Sequence, residues 1–158
     1  MDKIPITRTG FEKLKKDLKH LKSVAVPQNV RDIEEARGHG DISENAEYEA
    51  AKERQAFLQG KIQEINNKLA GAIVIDREDL TEERVVFGTT VTIEDLATEE
   101  ITKYHLVGPF ESDINENKIS VTSPMGKALI GKEIGDEVRF NTPGGVREIE
   151  VVDISIES

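Results

Sequence analysis

The sequence predicts an α+β protein with an N-terminal antiparallel coiled-coil helical hairpin over residues 1–76 and a C-terminal α+β domain over residues 77–158. Two observations predict it. The apolar residues change period, from 3.5 residues in the first half to near two in the second. The charge changes with them. Residues 1–76 carry 13 Lys+Arg and 13 Asp+Glu, whereas residues 77–158 carry 8 and 18, so the whole net charge of −10 falls in the second half.

The first helix is predicted from Phe11, Leu14, Leu18 and Leu21, which step by 3, 4 and 3 residues and form an a/d stripe. Thr9 and Glu12 form a capping box at its start. The stripe resumes at Val26, Val30 and Ile33. Pro27 lies between the two pieces, where the missing backbone donor predicts a kink or restart. A second stripe runs through Ala51, Leu58, Ile62, Ile65 and Leu69. A glycine-bearing turn near 38–45 separates the two, so the helices are expected to pack antiparallel. Each would span roughly 30 residues, or about 45 Å.

The second half reads as strands. Arg84–Phe87, Thr90–Glu94, Thr102–Val107, Lys118–Thr122, Glu137–Asn141 and Arg147–Ile154 are short, β-branched and often alternating. Pro143-Gly144-Gly145 predicts a hairpin turn, and Pro124–Ile130 a short helix. Asp76–Glu83 is polar and acidic, the expected joint between the halves.

Composition removes several function classes. A net charge of −10 argues against a nucleic-acid-coating module. With no cysteine, a disulfide scaffold, a thiolate zinc site and a cysteine nucleophile are excluded. The histidines, at 20, 39 and 105, lack paired metal spacing. No apolar run reaches the roughly 20 residues of a membrane span, and a cytoplasmic protein is expected. Residues 1–26 are themselves polarised, with Lys3, Arg8, Lys13, Lys15, Lys16, Lys19 and Lys22 against Asp2, Glu12 and Asp17. Such asymmetry suits a charged partner, and equally two solvated helix faces.

The tip is the part of a long hairpin that packing does not explain. Asp41 and Glu44 stand three apart at the predicted start of the second helix, a spacing that puts both carboxylates on nearly one face. Such a pair can share a divalent cation if a partner supplies the other ligands, because Mg²⁺ dehydrates reluctantly. It can equally be a capping box favoured by the helix dipole. His39 offers a donor to phosphate or water, Gly38 and Gly40 permit a tight turn, and Asn45 and Tyr48 lie one turn further on. Tyr48 also suits the narrow end of the seam.

The segment Glu35-Ala-Arg-Gly-His-Gly-Asp-Ile-Ser-Glu-Asn-Ala-Glu-Tyr48 resembles the hairpin tip of the bacterial Gre transcript-cleavage factors, of the GreA type. The resemblance continues through Gly88–Ile93, Ile119–Pro124, Lys127–Lys132 and Thr142–Gly145, covering essentially the whole chain. It implies an FKBP-like fold for the second half. It also implies a transcription elongation factor that enters the secondary channel of RNA polymerase and stimulates cleavage of the extruded 3′ RNA in backtracked complexes. The matching acids, Asp41 and Glu44, would then assist a second Mg²⁺ shared with the polymerase active centre, no cofactor being held stably by the factor alone. Arg37 and Lys52 would contact nascent RNA near its 3′ end. Ser123 and Pro124 would dock on the coiled coil at the channel rim. The factor is expected to be monomeric and not itself an enzyme.

Other readings are a channel-blocking inhibitor on the same fold, a structural coiled-coil adaptor, and a prolyl isomerase or chaperone built on the second half. An isomerase site of that fold is lined with aromatics, and the second half offers Phe87, Tyr104, Phe110 and Phe140. An independent hydrolase lacks a visible nucleophile–base pair.

Overall fold

The computed structural model describes residues 3–40 and 45–156. The chain divides into two units, one of residues 11–71 and the other of residues 1–10 with 72–158.

The first unit is the hairpin. Its outgoing arm is α1 (Arg8–His20), a π-helical turn at Leu21–Ala25, and α2 (Val26–Arg37); its return arm is the 26-residue α3 (Ala46–Gly71). The break expected at Pro27 takes the form of that π turn, which the Val26 N–H closes onto the Leu21 carbonyl. A wider turn just before Pro27 accommodates its ring and its missing donor. The extra residue also advances the seam by one position. Val26, Asn29, Ile33 and Ala36 therefore face α3, and the expected Val30 is 44% exposed while Asn29 is only 4% exposed. Asn29 Nδ2 donates to the Ala51 carbonyl across the seam at 2.9 Å. On α3 the stripe is as predicted, with Ala51, Leu58 and Ile65 buried and Ile62 and Leu69 half-buried.

Helix α1 is not capped by Thr9, which lies inside it. The chain enters α1 directly from strand β1 (Ile4–Thr7), so the cap falls on Thr7, whose Oγ1 accepts the Gly10 N–H at 3.0 Å. The Thr7 N–H and hydroxyl both donate to the Glu111 carboxylate, the former at 2.8 Å.

Strand β1 pairs in parallel with β2 (Ala72–Ile75), Ile4 opposite Ala72 and Thr7 opposite Ile75. The boundary drawn at residue 76 thus differs from the division in the structure, because this pair brings both ends of the hairpin segment into the second unit. Beyond β2, Arg8 forms a two-point ion pair with Asp76, at 3.0 and 3.2 Å, which holds the Asp76 carboxyl below its ordinary range. Gly108 passes so close to β1 that a Cβ there would lie 2.0 Å from the Pro5 carbonyl oxygen.

The main sheet has the order β5-β4-β3-β7-β6, with β3 (Thr90–Asp95), β4 (Ile101–Val107), β5 (Lys118–Ser120), β6 (Glu137–Thr142) and β7 (Gly145–Ser155). All pairs are antiparallel except β4 with β5. Val91, Ile93, Leu106, Ile149, Val151 and Ile154 line its core face, together with Leu129 of α4 (Pro124–Leu129). The β6–β7 hairpin turns at Pro143-Gly144, as expected. Arg84–Phe87 forms no strand. Val85 is fully buried, but its backbone bonds only the loop after α4, through the Lys132 carbonyl and the Gly131 N–H, before Gly88 (φ +90°) turns the chain. Strand β5 stops at Ser120 rather than Thr122, because the Ser120 side chain and carbonyl both capture the following turn. The Asp95 carboxylate accepts the Ala97 and Thr98 N–H groups at 2.9 and 3.2 Å and pairs with Arg147, which together hold it below the usual range. No helix among the described residues is long and apolar enough to cross a membrane.

Candidate functional site

The tip is built from the C-terminus of α2 and the N-terminus of α3. Helix α2 ends at Arg37 with Gly38 closing back on the Glu34 and Glu35 carbonyls, and the His39 N–H reaches the Ala36 carbonyl at 3.2 Å. Gly40 then takes φ +115°, a conformation open to glycine and strained for other residues. Helix α3 starts at Ala46, and its N-cap is Asn45, whose Oδ1 accepts the Tyr48 N–H at 3.1 Å. The same side chain's Nδ2 donates to the Ala36 carbonyl at 2.5 Å. His39 Nδ1 meets Glu47 Oε2 at 2.7 Å, a second link across the turn.

Asp41 and Glu44 lie outside the described residues. The cap described on α3 is Asn45. The sequence signal for that cap is present in Asn45-Ala-Glu-Tyr48, since asparagine before a helix is a preferred cap. Asn29, too, was missed, because the π turn that brings it into the seam leaves no pattern in hydrophobicity.

Arg37 and Lys52 occupy one region of the hairpin. The Arg37 guanidinium lies over the Tyr48 ring at 5.8 Å from its centroid, and Lys52 follows Tyr48 by four residues on α3, donating to Gln55 Oε1 at 2.8 Å. Tyr48 is half-buried at the end of the seam, in line with Ala51 and Gln55. Stacking keeps the Arg37 charge exposed on a fixed ring. Among the described residues no group of three or more His, Asp or Glu side chains is placed to hold a metal.

In the second unit Ser123 caps α4. Its Oγ accepts the Gly126 N–H at 3.0 Å and donates to the Ser120 carbonyl at 2.6 Å, and Pro124 fills the first helical position, exposed. Gly126 is held against β5, where a Cβ would sit 2.1 Å from the Ser120 carbonyl oxygen. Of the aromatics an isomerase cleft would need, Phe140 belongs to the core and Tyr104 packs against it.

A two-helix arm with a turn tied at both shoulders, followed by a mixed sheet covered by one short helix, defines a hairpin-bearing α+β factor. The comparisons give its kinship. The family described as transcription elongation factor, GreA/GreB, C-terminal part matches residues 80–156, and its N-terminal counterpart matches residues 4–74. Transcription elongation factor GreA of Syntrophus aciditrophicus is 65% identical over 156 residues, covering 99% of this chain and 97% of that protein. The GreA proteins of Syntrophobacter fumaroxidans and of Neisseria meningitidis serogroup A are 53% and 54% identical, the former covering 98% of this chain and 99% of its own and the latter 98% of each. The chain belongs to the GreA/GreB family of transcription elongation factors. The solved structure of GreA factor homolog 1 of Thermus thermophilus is 30% identical, covers 96% of this chain and 98% of that one, and has a TM-score of 0.44.

Proposed function

We propose that this elongation factor acts on RNA polymerase from within its secondary channel, and stimulates the polymerase's own hydrolysis of an extruded RNA 3′ end so that a backtracked complex resumes synthesis. On this reading the factor is an accessory, monomeric and cytoplasmic, and not an enzyme by itself. The observation that carries it is the match of both halves of the chain to the GreA/GreB elongation factors. Asn45 caps α3 through the Tyr48 N–H, and Asp41 and Glu44, the acids that match the family's tip motif, are taken to serve the metal. Their oxygen donors are those a hard cation prefers, and two carboxylates alone bind Mg²⁺ weakly, which suits an ion shared with the polymerase and the RNA. Bound there, the ion supplies charge stabilisation at the phosphodiester and lowers the pKa of water. Asp41 and Glu44 hold part of its shell and accept hydrogen bonds from the attacking water. Arg37, fixed on Tyr48, and Lys52 meet phosphates of the extruded strand. The acidic second unit avoids nucleic acid and grips protein, with Ser123 and Pro124 on the face toward the channel rim.

The test is cleavage in a stalled, backtracked complex. Asp41→Asn and Glu44→Gln keep shape and remove charge. Cleavage is expected to fall by orders of magnitude with polymerase binding and melting unchanged, and extra Mg²⁺ or Mn²⁺ to restore part of it. Near-normal cleavage by the double variant at limiting Mg²⁺ refutes the metal role.

A further inference from the structure

Both shoulders of the tip turn hang on one carbonyl. The Ala36 oxygen, at the end of α2, accepts the backbone N–H of His39 from one side of the turn and Nδ2 of Asn45 from the other. A carbonyl oxygen has two lone pairs, so it can take both donors. It is also one of the last carbonyls of α2, which have no partner within the helix and favour added donors. The other end of the Asn45 amide caps α3. One side chain therefore closes the C-terminus of one helix and opens the next.

We infer that Asn45 is the positioning residue of the tip: its amide fixes the start of α3 against the end of α2, the two helix ends that flank residues 41–44 in the chain. The inference rests on the proposed role of Asp41 and Glu44 and adds the residue that ties together the helix ends on either side of them. A short turn between two helices has its ends set by the helices only if these do not slide or splay. The seam above the tip is thin, since the residues nearest the turn are Ala36 and a half-buried Tyr48. Apolar burial there is limited to Ala36 and part of Tyr48, so polar ties do the aligning, Asn45 to Ala36 together with His39 to Glu47. Half-filled tips are costly for such chemistry, because a displacement of about 1 Å from reacting geometry loses up to about a hundredfold in rate.

Two substitutions separate aiming from capping. Asn45→Ser and Asn45→Asp both keep an oxygen for the Tyr48 N–H, and both residues cap helices about as well as asparagine. The aspartate carboxylate has no donor for the Ala36 carbonyl, and the serine hydroxyl is one bond too short to cap Tyr48 and also donate where Asn45 Nδ2 does. For Asn45→Ser, maximal cleavage at saturating factor is expected to fall about tenfold, the equivalent of one lost hydrogen bond, with the half-saturating concentration and the helical content unchanged. Amide exchange at His39 should quicken while Tyr48 stays protected. Asn45→Asp should behave alike despite its better charge for the dipole. Full cleavage by both variants overturns the inference, as does a loss that appears only in half-saturation or only with lost helicity. Asp41→Asn run alongside judges the underlying reading separately. If that variant cleaves normally the metal role fails, and the exchange measurement still decides whether Asn45 holds the turn.

Discussion

Asn29 offers a prediction whose sign runs against intuition. It is a polar side chain buried in the hairpin seam, with one hydrogen bond, to the Ala51 carbonyl at 2.9 Å. Asn29→Leu removes that bond, which is worth about 1 kcal/mol net. Ala51 lies well inside α3, so its carbonyl keeps the helical partner four residues on and is not orphaned. The leucine gains about 2 kcal/mol from burial at a position only 4% exposed. Its flanking seam residues are Ile33 and Val26, apolar and spaced to receive it. The net expectation is a hairpin more stable by about 1 kcal/mol, as happens when buried polar groups are replaced by well-packed apolar ones. Thermal and urea unfolding followed by far-ultraviolet circular dichroism measures it. A destabilisation of about 1 kcal/mol or more would show that the amide contributes stability rather than register, and would refute the reasoning. The companion expectation is a looser choice of axial alignment, which a single buried asparagine otherwise restricts.

Three further outcomes are expected. Asp95 is held below the usual carboxylate range by the Ala97 and Thr98 N–H groups and then by Arg147, so its contribution is present above the ordinary aspartate value of about 3.9 and lost as pH falls through the lower folded value. Asp95→Asn should therefore melt earlier than the parent at pH 7, and the two melting curves should converge as the solution is acidified below that window. Gly108→Ala places a methyl group 2.0 Å from the Pro5 oxygen, and backbone must move; a loss of about 2–3 kcal/mol is expected in denaturant unfolding of the second unit, with the hairpin's helicity retained. Arg37→Ala and Lys52→Ala should weaken cleavage of extruded RNA more than binding to RNA-free polymerase, and the deficit should shrink at high salt, where exposed charges are screened; equal losses in both assays would reassign the two residues to protein contacts.

The sequence by itself determined the hairpin and the strand-rich second half. Long periodic stripes such as Ala51–Leu69 and alternating strands such as Glu137–Asn141 repeat their signal several times, and burial on one face leaves little choice of structure. Short elements carry no such redundancy. Strands β1 and β2 are four residues each, and only their pairing across more than sixty residues of chain makes them strands. Arg84–Phe87 had the composition of a strand but no neighbour to complete a ladder, so Val85 anchors a loop instead. The seam position of Asn29 depended on a single inserted residue in a π turn, which shifts every side chain beyond it by about 100°. Tertiary structure likewise chose the caps. Thr7 and Asn45 took them, the former in place of the expected Thr9, because a cap is set by where the preceding chain must arrive. For Thr7 that place is the end of a strand clamped by Glu111, and for Asn45 it is the carbonyl of Ala36 on the facing helix.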